Sequence, residues 1–265
     1  MPQNLVDIHA HLLPGIDDGP DTLEESLDMA RAAVSTGIGT IATTPHLRSD
    51  FPDVLVEEIG PRCAEVQRAL DSEGIPLRVL AGAEISLLWA LEASDEQLML
   101  ASYAQRGTDL LIETPSDALM LDRMLYAVRT KGFRITLGHP ERSIQFQGDP
   151  EPLARLVEQG VLLQVNAGSL LHRRSPPGRL AERLCRDGLA HVVASDGHRG
   201  QRWRPVTALA DAVRAVAGLF GQERAEWLAS ASPGAITQGE EIPVAPEILE
   251  QPRRRRLFGP ADRGR

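Results

Sequence analysis

Four short polar motifs hold five of the chain's seven histidines: Asp7-Ile8-His9-Ala10-His11, Thr44-Pro45-His46, Gly138-His139-Pro140-Glu141-Arg142 and Ser195-Asp196-Gly197-His198. Imidazoles mixed with carboxylates suit zinc, manganese or iron, whereas magnesium and calcium prefer oxygen alone. Two such cations ~4 Å apart can lower the pKa of water and polarise a phosphoryl oxygen at the same time, so the chemistry suggested is hydrolysis. Arg142, close behind His139, has the planar fork that grips a phosphate through two hydrogen bonds. Asp18, Glu84 and Glu113 are further ligand candidates. A pair such as His9 and His11 taken alone is more often incidental, and it is the company of seven other ligand candidates that turns the balance toward a metal site.

The elements that must position these residues alternate short apolar runs with amphipathic segments. Strands are expected over 5–9, 39–44, 77–81, 109–112, 135–137, 161–166 and 191–194, nearly continuous in apolar residues, as when both faces are covered by helices. Thr22, with Glu25 three residues on, reads as a helix start, and Gly37 as its stop. Further helices are expected over 54–73, 95–103, 117–130, from Asp149-Pro150-Glu151 onward, around 180–186, and over 205–217 and 222–231. Residues two apart in a strand point the same way, so His9 and His11 project together. His46 follows the second strand, Glu84 the third, Glu113 the fourth, His139 the fifth, and Asp196 and His198 the seventh. Only Asp18, in the loop Ile16-Asp17-Asp18-Gly19-Pro20, departs from the strand ends where active sites of parallel α/β folds collect. Asp17 reads as the turn or capping residue of its pair. Gln164 and Asn166 alternate on the sixth strand and could line the same cavity.

The chain has 265 residues, a formal charge of -9 and ordinary apolar and charged fractions, which describe a soluble globular protein and argue against nucleic acid as the main partner. Its two cysteines, Cys63 and Cys185, are far apart and lack a Cys-x-x-Cys pattern. That excludes a disulfide framework and a thiolate zinc site and favours a reducing cytoplasm. Neither cysteine has an arginine six residues later: Ala69 and His191 stand there, so a cysteine-nucleophile phosphatase is rejected. No targeting segment is expected, and no apolar stretch approaches the ~20 residues that span a bilayer. One domain is expected over 1–242, with 243–265 a Pro/Arg-rich tail whose run Arg253-Arg254-Arg255-Arg256 is solvated. His172 and His191 lie outside the pattern and read as structural or exposed.

The four motifs, extended by Leu12-Leu13-Pro14-Gly15-Ile16-Asp17-Asp18-Gly19-Pro20 and joined by Gly82-Ala83-Glu84-Ile85 and Leu111-Ile112-Glu113, resemble in order and content the bacterial tyrosine-protein phosphatases of the polymerase and histidinol phosphatase (PHP) superfamily. These are the CpsB/YwqE-like enzymes of capsule and exopolysaccharide loci. The resemblance covers roughly residues 5 to 240 and implies a distorted seven-stranded β/α barrel holding three divalent ions, with manganese favoured and iron or zinc as alternatives. One ion would take His9, His11, Glu84 and Asp196; a second would share Glu84 and add Glu113 and His139; a third would take Asp18, His46 and His198. Arg142 matches the family's catalytic arginine. The chain departs from the family at Leu47, where a second histidine is common, and at Thr114, where an aromatic is common. The implied substrate is phosphotyrosine on protein, above all the tail of a bacterial tyrosine kinase controlling polysaccharide export. Histidinol phosphatase or another small-molecule phosphoesterase is the alternative, and a catalytically silent regulatory module a further one.

Overall fold

The computed structural model describes residues 4–115, 120–199 and 204–249. All seven expected strands form: β1 (Leu5–Ala10), β2 (Ile38–Thr43), β4 (Arg78–Ala81), β6 (Asp109–Glu113), β7 (Arg134–Gly138), β8 (Leu162–Asn166) and β9 (Val192–Ala194). Two further segments, β3 (His46–Leu47) and β5 (Glu84–Ile85), are too short to leave a periodic signal. Among the described residues every strand pairing is parallel, in the orders β1-β2-β4 and β3-β5-β6-β7-β8-β9. The ladders therefore make two sheets of nine segments rather than one closed seven-stranded barrel.

The reason for the division is local. Thr43 pairs with Ala81 and His46 with Glu84, so β2 and β4 are interrupted side by side by the same number of residues, Thr44-Pro45 and Gly82-Ala83. Pro45 has no amide to donate to a ladder, and Thr44 turns its own amide to the Ala10 carbonyl at 2.8 Å. A Cβ on Gly82 would lie 3.1 Å from the Tyr103 ring, so that residue's backbone is free to pack where a side chain would crowd. At the other edge, β1 meets the segment after β9: Asp196 N donates to His9 O at 2.8 Å and His11 N to Gly197 O at 2.7 Å. The buried Asp7 carboxylate adds a link, accepting from Ser195 N at 3.1 Å.

Buried side chains from both sheets, among them Ile8, Ala42, Leu111, Leu162 and Val192, form one cluster with Tyr103, which fills the space between the strands. The larger core lies between strands and helices. Helix boundaries differ from expectation where caps decide. The first runs Leu23–Ser35, and its box is offset: Thr22 Oγ1 accepts from Glu25 N, but the Glu25 carboxylate takes the amide of Asp21 instead of Thr22. Val56–Ser72 and Leu121–Arg129 are shorter than expected, Pro176–Arg186 starts earlier at a Ser175 cap, and Ala208–Phe220 lies three residues further on. The helix expected over 95–103 ends at Ala101, and Tyr103–Gln105 is a separate turn. Residues 222–231 divide into Gln222–Glu226 and a π-helical turn Trp227–Ala231 that leads into Ser232–Gln238. Residues 117–119 of the expected 117–130 helix and the arginine run 253–256 lie outside the described residues.

Candidate metal centre

The paired interruption of the two sheets carries His46 and Glu84 onto neighbouring strand segments in register, with His46 Nδ1 3.1 Å from Glu84 Oε2. Glu84 is the hub: His9 Nε2 lies 3.2 Å and His11 Nε2 3.5 Å from its Oε2, and His139 Nε2 lies 2.8 Å from its Oε1. Asp196 Oδ1 sits 3.6 Å from His9 Nε2 and 3.8 Å from His11 Nε2. Asp18 Oδ1 lies 3.3 Å from His46 Nε2 and 3.1 Å from His198 Nε2. The ligand atoms of His9, His11 and Asp196, of His9, Glu84 and His139, and of His11, Asp18, His46 and His198 fall within 4.8 Å of one another in each set. All nine candidates thus converge on one rim. Glu113 joins His46 and Glu84 in a fourth set instead of His139, because Arg48 Nη1 holds both its oxygens at 2.9 and 3.0 Å.

Two backbone features aim the ligands. His139 (φ 36), directly after β7, and Asp196 (φ 51), two residues past β9, both occupy the left-handed region, a conformation that costs a non-glycine residue energy and persists only when surroundings enforce it. Gly19 lets the Asp17-Asp18 loop close on β1, since a Cβ there would lie 2.8 Å from the His11 carbonyl.

Neighbouring polar groups fix the ring orientations. Gln164 Oε1 lies 2.9 Å from His9 Nδ1 and also accepts from His139 N at 3.3 Å. Asp17 Oδ2 lies 2.7 Å from His11 Nδ1, and Asp17 Oδ1 accepts from Gly19 N. Asn166 Nδ2 donates to Asp196 Oδ2 at 2.7 Å and is itself seated by its amide on the buried Glu141 carboxylate. Four buried atoms at the rim, His9 Nε2, His11 Nε2, His46 Nδ1 and Asp18 Oδ1, face their neighbours without a well-directed hydrogen bond among the described residues. Buried polar atoms are ordinarily satisfied. Donor atoms left over in this pattern, lone pairs of two chemical types facing a common space, fit divalent cations of the manganese, iron or zinc kind.

The charges reinforce one another. Burial disfavours the imidazolium of His11, yet Asp17 and Glu84 outweigh it and push its pKa up to about 10. His46, likewise opposed by burial, is pushed up to about 9 by Asp18 and Glu84. Burial would raise Glu84, but His9, His11, His139 and His46 hold it well below the usual carboxylate range.

Arg142 reaches the rim from the turn after β7 and donates to Asp196 Oδ2 at 2.9 Å. It lines a cavity of about 600 Å³ that also touches His139 and Glu113 and is walled by Leu87, Leu88, Pro115, Leu121 and Met124. Leu47 is buried, and Thr114 donates to Gly138 O at 2.5 Å. His172 is exposed, and His191 accepts Leu163 N on Nδ1 at 3.2 Å, away from the cluster. Sequence reasoning passed over Arg48 and Arg204, which holds Asp196 at 3.1 Å, and gave Asp17 only a turn role. Arg48 stands two residues after His46, the strand spacing that puts both on one face.

A family model described as capsular polysaccharide synthesis, CpsB/CapC, matches residues 5–238. The tyrosine-protein phosphatase YwqE of Bacillus subtilis is 32% identical over 263 residues, covering 96% of this chain and 99% of YwqE. A crystal structure from work on YwqE from Bacillus subtilis and CpsB from Streptococcus pneumoniae, described as unique metal-dependent tyrosine phosphatases, matches with a TM-score of 0.79 and 29% identity, covering 93% of this chain and 100% of that one. The Listeria monocytogenes lactonase Lmo2620 shares the fold at a TM-score of 0.62 and 11% identity, covering 90% of this chain and 95% of its own. From the match over nearly its whole length, the chain belongs to the CpsB/CapC family of capsular polysaccharide synthesis.

Proposed function

We propose that the chain is a metal-dependent phosphatase that hydrolyses phosphotyrosine on protein, with the tail of a bacterial tyrosine kinase regulating capsule or exopolysaccharide synthesis as its substrate. The observation that carries the reading is the apposition of a ligand-rich rim with unsatisfied donor atoms to a cavity that offers an arginine and apolar walls. Family membership and the phosphatase relatives support it, whereas fold alone would not, because the same architecture serves a lactonase.

In this reading three divalent ions, manganese favoured over iron or zinc, would be held by His9, His11, Glu84 and Asp196, by Glu84 and His139 with Glu113 once Arg48 releases it, and by Asp18, His46 and His198. Ions so placed would supply charge neutralisation for the phosphoryl oxygens and would lower the pKa of water. Arg142 swings one edge of its guanidinium from Asp196 to the phosphate and orients it for in-line attack. Leu87, Leu88, Leu121 and Met124 exclude water and receive the aryl ring. Asp17 and Gln164 keep the Nε2 atoms of His11 and His9 turned inward. The two sheets read as a distorted barrel of seven strand positions, with β2 continued by β3, β4 by β5, and β1 closing on the segment after β9. The catalytic unit spans 1–242 and 243–265 extends it, the extension's first residues returning to the unit through Trp227 Nε1 on Pro243 O. A cytoplasmic setting fits two free buried cysteines, and no helix among the described residues is long and apolar enough to cross a membrane.

Histidinol phosphate carries an ammonium that needs an available carboxylate. Glu113 is the cavity's carboxylate among the described residues, and it is committed to Arg48 or to a cation. The test is phosphate release from a phosphotyrosine peptide and from histidinol phosphate, each with and without chelator. The expected result is chelator-sensitive peptide hydrolysis. Unchanged turnover after metal removal overturns the mechanism, and a preference of ~100-fold for histidinol phosphate overturns the substrate. A silent regulatory module would release phosphate from neither.

A further inference from the structure

A second depression, of about 650 Å³, adjoins the cavity at His139 and shares Arg48, Ser86 and Leu88 with it. Phe51, Trp89 and Glu92 lie in its remaining wall, and none of the nine ligand candidates does. We propose that this groove binds the polypeptide flanking the phosphotyrosine, taking an apolar side chain against Phe51, Leu88 and Trp89 and a basic residue beside Glu92. The inference rests on the phosphatase reading and names how a protein substrate, as opposed to a small ester, is held.

Continuity argues first. An extended chain whose phosphotyrosine fills the inner cavity leaves over Leu88, which is 67% exposed although it sits between two cavities. An exposed large apolar residue at such a junction has a use if another apolar group covers it. Rigidity argues second. The Ser86 hydroxyl caps the helix Leu87–Glu92 by accepting from Trp89 N, so the Trp89 wall is held by backbone hydrogen bonding. Phe51 is fixed opposite, stacked on His46 at 4.9 Å with 17° between the rings. A preorganised apolar groove costs little ordering on binding. Charge argues third. Arg48 at the junction is engaged by Asp50 at 2.7 Å, outside the ligand set, so it sets up little net repulsion toward a cationic flank, while Glu92 is exposed at the outer end.

The experiment compares manganese-loaded wild-type protein, Trp89→Ala and Glu92→Lys on p-nitrophenyl phosphate and on phosphotyrosine peptides. The peptides carry leucine and lysine on the amino-terminal side, on the carboxy-terminal side, or glycine on both. Binding of the same peptides with a non-hydrolysable phosphonate is followed by calorimetry. Wild-type protein should prefer one leucine-lysine peptide over the glycine peptide by about tenfold in kcat/KM, the scale of burying one apolar side chain. Trp89→Ala should abolish that preference through KM and phosphonate affinity, with p-nitrophenyl phosphate turnover unchanged. Glu92→Lys, at an exposed position that folding tolerates, should weaken the lysine peptide about threefold, the scale of one solvated ion pair. Equal kcat/KM and equal phosphonate affinity for all three peptides, with p-nitrophenyl phosphate still hydrolysed, overturn the groove alone. Absence of turnover on every substrate overturns the phosphatase reading as well.

Discussion

The buried His11 and the half-buried His191 are held on opposite terms, and the two ends of the strands differ accordingly. At the rim, His11 has one nitrogen on Asp17 and the other unsatisfied among Glu84, Asp196 and Asp18, and its pKa stands at about 10. At the start of β9, His191 has no carboxylate against it among the described residues. Its Nδ1 accepts a backbone amide, its ring lies 6.3 Å from Trp227, and burial with the nearby Arg224 pushes its pKa down to about 4. The lesson is that burial alone does not make a histidine a ligand. A lone pair consumed by the backbone is structure, whereas one left facing carboxylates is a place for a cation.

The comparison can be broken most severely by deleting ligands. His11→Ala or Asp196→Ala should lower phosphatase activity by about a thousandfold or more and reduce bound metal measured by elemental analysis, while His191→Gln leaves both within about twofold. Retention of metal in both rim variants would remove the distinction. Arg142→Ala should cost about a hundredfold in kcat with metal content unchanged, since it acts on charge and orientation of the phosphoryl group. A parallel loss of metal would instead make it a support for Asp196. Asp17→Asn should weaken metal binding by about ten- to a hundredfold, read by chelator competition, because it frees the ring orientation of His11 without removing a donor.

The pH response sharpens the same contrast. His11 and His46 have raised pKa values in the ion-free fold, so their contribution to stability is full below their unfolded value of about 6.5 and is lost as pH rises through about 9 to 10. His191 is lowered, so its share is present above about 6.5 and lost as pH falls toward about 4. In thermal melts of chelator-treated protein both limbs should be visible. Manganese should remove the alkaline limb, with proton release on binding at pH 7.5, together with the part of the acid limb that comes from the lowered His198, and leave the part that His191→Gln flattens. An alkaline limb that survives metal loading would mean that these imidazoles keep their protons and hold no ion.

Strand positions were legible because each apolar run carries its own signal, and the site residues because most follow such runs directly. Arg48 was not, since nothing in Leu47-Arg48-Ser49 marks a partner sixty-five residues away. The helix starts at Leu87 and Ile144 were also missed: segments of six and five residues are too short for a periodic pattern. The expected closed barrel is divided into two sheets where Pro45 has no amide for the ladder and Gly82 packs against Tyr103, relations between neighbouring segments that one strand's pattern does not contain.

By itself the sequence determined which side chains could ligate and that most of them stand at strand ends, since side-chain chemistry and alternation are properties of a few consecutive residues. Only the tertiary structure decided that Glu84 is the hub, that Glu113 turns to Arg48 and that Asp17 orients His11. Those facts depend on distances between chain segments, which are set by strand order and by the shared interruption of β2 and β4, and a distance across the fold has no counterpart in local spacing.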